Sequence, residues 1–181
     1  MNETRDAATG VALTEVDRDT VLLVGHCGPD AWMLRSMVQR VLPEVRVQVV
    51  NTVRELDEHA QRSKVWLVNR VLDGHFDADT GVELIERTIG SDRFGSVVTA
   101  PADVEEPDAE DAAGAGGIAL MLISDYPDAQ RAARDVGAFP GFGKSAVNSE
   151  RAMQRLRRAF GLAEPHEDSN AAPRRRSRDN N

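Results

Sequence analysis

Cysteine is almost absent: Cys27 is the only one in 181 residues. That excludes a disulfide framework and a cysteine-based zinc site, both of which need several thiolates at fixed spacing. No uninterrupted apolar run approaches the ~20 residues needed to span a bilayer. The opening stretch, MNETRDAATG, carries no apolar signal core. With a net charge of -8 the chain lacks the basic surface that phosphate contacts require, which argues against a nucleic-acid binder. These absences leave a soluble, cytoplasmic protein with no membrane partner as the expectation.

What is present suits one globular domain. The composition is 41% hydrophobic and 29% charged, enough to bury a core without staples. Residues 1–19 read as a flexible polar arm and 162–181 as a disordered tail carrying Arg174-Arg175-Arg176. Between them, 20–161 alternates apolar strands with amphipathic helices. Residues 95–117 interrupt that rhythm with Asp103, Glu105, Glu106, Asp108, Glu110 and Asp111, then AAGAGG, and read as a flexible acidic insertion.

Val21 to Val24 and Gly117 to Ser124 are continuous apolar runs, as expected of strands buried on both faces of a parallel sheet. Val65 to Val68 is a third, ending abruptly on Asn69. Val45, Val47, Val49 and Val50 alternate more, as suits a strand near an edge, and Phe139 to Gly143 is a short last strand. Asp30 is expected to cap the first helix, with Leu34, Met37, Val38 and Val41 on its buried side. Thr52 to Glu55 and Thr80 to Glu83 are capping boxes opening the second and third helices. Pro127 suits the first turn of the fourth, stopped by Gly137, and Asn148 or Ser149 caps the fifth. Five β-α units in a row predict a doubly wound, five-stranded parallel sheet of flavodoxin-like topology, with chemistry outside the carboxyl ends of its strands.

At those ends the chain resembles the receiver domains of two-component response regulators, over about 21–161 without the insertion. VLLVGHCGPD resembles the family's first strand and acidic pair, and WLVNRVLDG the strand with its phosphoacceptor aspartate. IALMLISDYPDAQRAARDVGA resembles the fourth strand and helix, and FPGFGKS the fifth strand with its lysine. The resemblance implies a residual phosphorylation pocket of Gly25, His26, Asn69, Ser124 and Lys144. In it the acids have become Gly25 and His26, the acceptor has become Asn69, and the hydroxyl and lysine are kept as Ser124 and Lys144. The family's switch aromatic falls on Gly141, with Phe142 one place later, and the proline after the lysine is Ser145. The loop after Asn69 is longer by a few residues.

The chemistry of these departures is direct. Phosphoryl transfer to a receiver needs an anionic oxygen nucleophile, and a neutral amide is a poor one. The hard oxygen ligands that magnesium prefers are missing as well. The degenerate pocket is thus expected to be net positive and to hold no cofactor, and the domain to be no enzyme.

Other constellations read more plainly as structure. His26-Cys27 is no nucleophile and base, since neighbours on a strand end point apart, and Cys27 is expected to be packed and inert. Asp73, His75, Asp77, Asp79 and Glu83 do not match a calcium-loop spacing and read as a solvated loop. Gly143-Lys144-Ser145 resembles the end of a phosphate-binding loop, but the glycine required five places before Gly143 is Ala138.

The expectation is a stand-alone pseudo-receiver working independently of phosphorylation through protein-protein interaction. The resemblance places its docking face on the fourth helix, fifth strand and fifth helix, with Gly141, Phe142, Arg151, Arg155 and Arg158 as contact residues. A homodimer stays open. One alternative is a small-ligand or anion sensor using Lys144, Ser124 and His26. Another is an active receiver with its acceptor relocated to a residue such as Asp73.

Overall fold

The structure is a computed structural model and describes residues 19–100 and 116–162. The expectations for the N-terminal arm, for most of the acidic insertion and for nearly all of the tail lie outside these residues. Six parallel strands form one sheet: β1 (Thr20–Val24), β2 (Arg46–Val50), β3 (Ser63–Asn69), β4 (Val97–Val98), β5 (Ile118–Ile123) and β6 (Phe139–Phe142). Among the described residues, five α-helices lie against it: α1 (Gly28–Val41), α2 (Val53–His59), α3 (Gly81–Ile89), α4 (Pro127–Asp135) and α5 (Glu150–Ala159).

The strand order is β2-β1-β3-β5, and the outer edge of β5 is shared. β4 pairs with its beginning at Ile118 and Ala119, β6 with its end at Met121 and Ile123. Without β4 this is the 2-1-3-4-5 order of the flavodoxin-like fold. The five expected strands are all present, and the short β4 adds to them at Val97 and Val98, which the sequence reading put inside the acidic insertion. Two valines between polar residues are too brief a signal to separate from a loop.

The continuous apolar runs are buried on both faces, as expected. Val21, Leu23, Val65, Leu67, Met121 and Ile123 pack toward α1 and α5. Leu22, Val24, Trp66, Val68, Leu120 and Leu122 pack toward Leu56, Leu84, Ile85 and Ala133 of α2, α3 and α4. Each such side chain taken out of water contributes about 1.5–3 kcal/mol, so the central strands dominate the folding free energy. Trp66 is satisfied inside the core, donating from Nε1 to Ser63 Oγ at 2.5 Å and meeting Phe94 edge-on at 5.2 Å.

The capping boxes form as read. Thr52 accepts from Glu55 N, and Thr80 accepts from Glu83 N. The glutamates reach back one residue further than the motif requires, to Asn51 N and Asp79 N. Ser149 caps α5, accepting from Ala152 N. The cap of α1 differs from expectation: Cys27 holds that position, its side chain capping no backbone N–H of the helix, and Pro29 sits in the first turn. Pro29 has no N–H to be capped, and Asp30, already inside the helix, turns elsewhere. Cys27 is exposed, which corrects the expectation of a packed thiol.

Candidate functional site

Register brings the candidate residues to one edge of the sheet. Val24 is level with Val68, and Asn69 is level with Ile123, so Gly25, Asn69 and Ser124 leave the sheet side by side. Lys144 follows β6 in a single 3-10 turn, Lys144–Ala146. A cavity of about 110 Å³ opens among them, lined by Asn69, Ser124 and Lys144 and by Arg70, Val71 and Tyr126. The Arg70 guanidinium stacks on the Tyr126 ring at 4.4 Å.

Asn69 is buried, and its Nδ2 donates to the carbonyls of Gly25 at 2.8 Å and of Val71 at 2.7 Å. Two carbonyl acceptors fix which end of the carboxamide carries nitrogen. A carboxylate here would set an anion against two carbonyl oxygens. The position is built around an amide.

Gly25 has φ +68°, a conformation costly for any residue with a Cβ. A Cβ there would lie 2.7 Å from Leu72 Cδ2 and 3.1 Å from Leu72 Cα. The loop after Asn69 therefore occupies the space that a side chain at position 25 would need.

His26 is fully buried, and its Nε2 bonds the Leu67 carbonyl at 3.0 Å. A carbonyl can only accept, so Nε2 carries the proton and Nδ1 is the bare nitrogen, buried with no partner among the described residues. Burial pulls the imidazole pKa from 6.5 down to about 4, against the Leu67 bond, which favours the charged form. At neutral pH His26 is an uncharged core residue. It does not face Cys27 as a catalytic base would.

Lys144 Nζ lies 2.5 Å from Asp30 Oδ2, a contact about two-thirds to three-quarters shielded from solvent. The hydrogen bond from Lys144 is the largest influence holding the Asp30 carboxyl below its ordinary value, with burial opposing it and a Cys27 bond adding to it. The expectation of a net-positive pocket is thus corrected: Asp30 returns a carboxylate to the lysine. Asp125 stands next to Ser124 and accepts from both the N and Oγ of Ser145, which lowers its pKa too. Ser124 is buried, and its Oγ accepts from Tyr126 N at 3.1 Å.

The loop carrying Asp73, His75, Asp77 and Asp79 does not gather them into a ligand shell. Glu83 is engaged by Asp79 N and Arg87, and Asp73 is exposed while its N donates to Gly25 O.

At β6 the position of the family's aromatic is closed. A Cβ on Gly141 would fall 1.9 Å from Leu122 O. β6 bulges between Phe139 and Phe142, spending three steps where β5 spends two, from Met121 to Ile123. Gln130 of α4 fills the bulge: its Nε2 is within 3.2 Å of the Leu122, Ser124 and Phe142 carbonyls. Phe142 is buried in the core, so as a contact residue of the docking face it is corrected. Arg155 donates to Gly141 O at 2.5 Å, while Arg151 is exposed at the start of α5. Between α4 and β6 lies a cleft of about 480 Å³, bordered by Arg131, Arg134, Asp135, Pro140 and Arg155.

Sequence reasoning missed Asp30 as the partner of Lys144, Leu72 as the cover of Gly25, and Gln130 as the filler of the bulge. Only Gln130 left a signal, a polar residue on the sheet-facing side of an otherwise alanine-lined stripe.

Comparison with protein-family models found no match, and comparison with curated proteins found none. Solved structures do match. The signal receiver domain of a DNA-binding response regulator from Colwellia psychrerythraea 34H aligns with a TM-score of 0.52 at 14% identity, over 76% of this chain and 94% of that one. The receiver domain of NtrC4, solved as a beryllofluoride-activated dimer, aligns with a TM-score of 0.51 at 17% identity, over 78% and 96%. At such identities the likeness is one of fold. Element order, strand order and these alignments agree that the chain has the fold of response-regulator receiver domains.

Proposed function

We propose that this chain is a non-enzymatic, cytoplasmic signalling module, a pseudo-receiver that works by contact with a protein partner and takes no phosphoryl group. The observation that carries the reading is Asn69. Its carboxamide donates to two carbonyls, so the place of the acceptor is committed to an amide in geometry as well as in charge. Gly25 and the uncharged, buried His26 supply no oxygen ligands for magnesium. The docking surface is the face of α4, β6 and α5, with Arg151, Arg155 and Arg158, and the partner is either another protein or a second copy.

The test is an amide-resolved NMR titration with magnesium and beryllofluoride, paired with mass spectrometry after incubation with acetyl phosphate. No shifts at Ser124 or Lys144 and no phosphoryl adduct are expected. An adduct on Asp73, or on any other carboxylate of this edge, overturns the reading and establishes an active receiver with a relocated acceptor. Light scattering during size exclusion distinguishes monomer from homodimer. Reversing charge at Arg151, Arg155 and Arg158 is expected to abolish partner capture.

A second reading, a small-ligand or anion sensor, is favoured by the cavity among Asn69, Ser124 and Lys144. It requires Lys144 to leave Asp30, and it predicts that Lys144→Ala removes ligand-dependent thermal stabilisation while leaving capture intact.

A further inference from the structure

We propose that residues 70–76 are a strap, a built-in occupant of the corner above β1 and β2, and that the Asn69 side chain is its clasp. The strap is fixed at three points. At its start, Asn69 Nδ2 holds the Val71 carbonyl with one proton and the Gly25 carbonyl with the other, tying the strap to the end of β1 through a single side chain. In its middle, Asp73 N donates to the same Gly25 carbonyl at 3.0 Å, and Leu72 lies over the Cα of Gly25. At its far end, His75 N donates to Asn51 O at 2.8 Å and His75 O accepts from Val53 N at 3.0 Å, forming a one-residue parallel bridge to Thr52.

These contacts join the three loops that leave the sheet after β1, β2 and β3. Asn51 continues the network, its Nδ2 lying 3.4 Å from the His26 carbonyl. A loop described only as long and polar would place its amides in water. Here the backbone donors of Asp73 and His75 and the carbonyls of Val71 and His75 are all used within the protein, and Leu72 packs against the apolar layer below. The chain therefore links its own strand ends at this corner through its own side-chain and backbone groups. The strap stands on this geometry and not on the docking reading, since its test contains no partner.

The test is hydrogen–deuterium exchange by NMR on the full chain at neutral pH, comparing wild type with Asn69→Asp and Asn69→Ala. The first variant turns the clasp against two carbonyls. The second removes it without adding charge and keeps the test available if the first does not fold. The amides of Asp73 and His75 are expected to exchange about tenfold faster or more in both variants. Those of Leu22, Leu67 and Met121, which report global opening, are expected to move much less. Unchanged exchange at Asp73 and His75 overturns the clasp. A uniform rise at all five amides overturns the strap as a separate unit and makes Asn69 an ordinary core residue.

Discussion

Lys144 and Asp30 stand 114 positions apart in sequence and meet at 2.5 Å beside the cavity of the sheet's carboxyl edge. The pair is shielded enough for its attraction to outweigh the cost of ordering two side chains, yet wet enough that its net value stays modest. A double-mutant cycle over Lys144→Ala and Asp30→Ala is expected to return a coupling of about 1 kcal/mol in urea unfolding. The Asp30 carboxyl titrates below its unfolded value of 3.8, so the pair's contribution is full at neutral pH. It is lost as the pH falls below the ordinary carboxylate range and through the lower native value.

His26 makes stability depend on pH in a higher window. Its native pKa of about 4 lies below the unfolded 6.5, so the unfolded chain binds the extra proton between those values. Stability is therefore complete above pH 6.5, declines as the pH falls toward 4 and levels off beneath it. The loss is about 3 kcal/mol, since each pH unit separating the native and unfolded values is worth about 1.36 kcal/mol. His26→Gln, which keeps a donor for the Leu67 carbonyl, is expected to flatten that part of the curve measured by chemical unfolding from pH 4 to pH 7.

The bulge of β6 sets a third expectation. Gly141→Ala forces a methyl against the Leu122 carbonyl and is expected to destabilise by about 3 kcal/mol, the upper range for overpacking. Gln130→Ala withdraws the amide that serves three carbonyls and is expected to cost about 2 kcal/mol. The two changes touch one site, so their effects in urea unfolding are expected not to add.

The helix caps give an independent check on local structure. Thr52→Ala and Thr80→Ala each remove a side-chain acceptor from a helix N-terminus and are expected to cost about 1 kcal/mol. They lie on different helices, so the double variant's midpoint of thermal unfolding is expected to drop by the sum of the two single effects.

The sequence was legible wherever the signal was local. Continuous runs such as Val21 to Val24, short and rich in β-branched residues, read as central strands, and a threonine three places before a glutamate satisfies its helix end without outside help. The site was legible in its absences, since Asn69 and Gly25 carry no carboxylate wherever they sit. Its filling was not. Whether Lys144 meets an anion, whether Leu72 covers Gly25, and whether Gln130 reaches a bulge all depend on loops converging from distant parts of the chain. Asp30 illustrates the limit: its type and position suit a cap, but Pro29 had already shortened the need for one, and a lysine from beyond the last strand took its charge.

The division of β5's outer edge between β4 and β6 has a consequence for behaviour in a crowded solution. An unbroken outermost strand presents a row of free peptide groups that a neighbouring chain can copy, the first step toward fibrils and swapped oligomers. On this side the row is cut into a two-residue piece and a four-residue piece that is bulged and carries Pro140, which has no N–H to offer. Along this flank the chain therefore offers unfolded copies of itself little backbone to pair with.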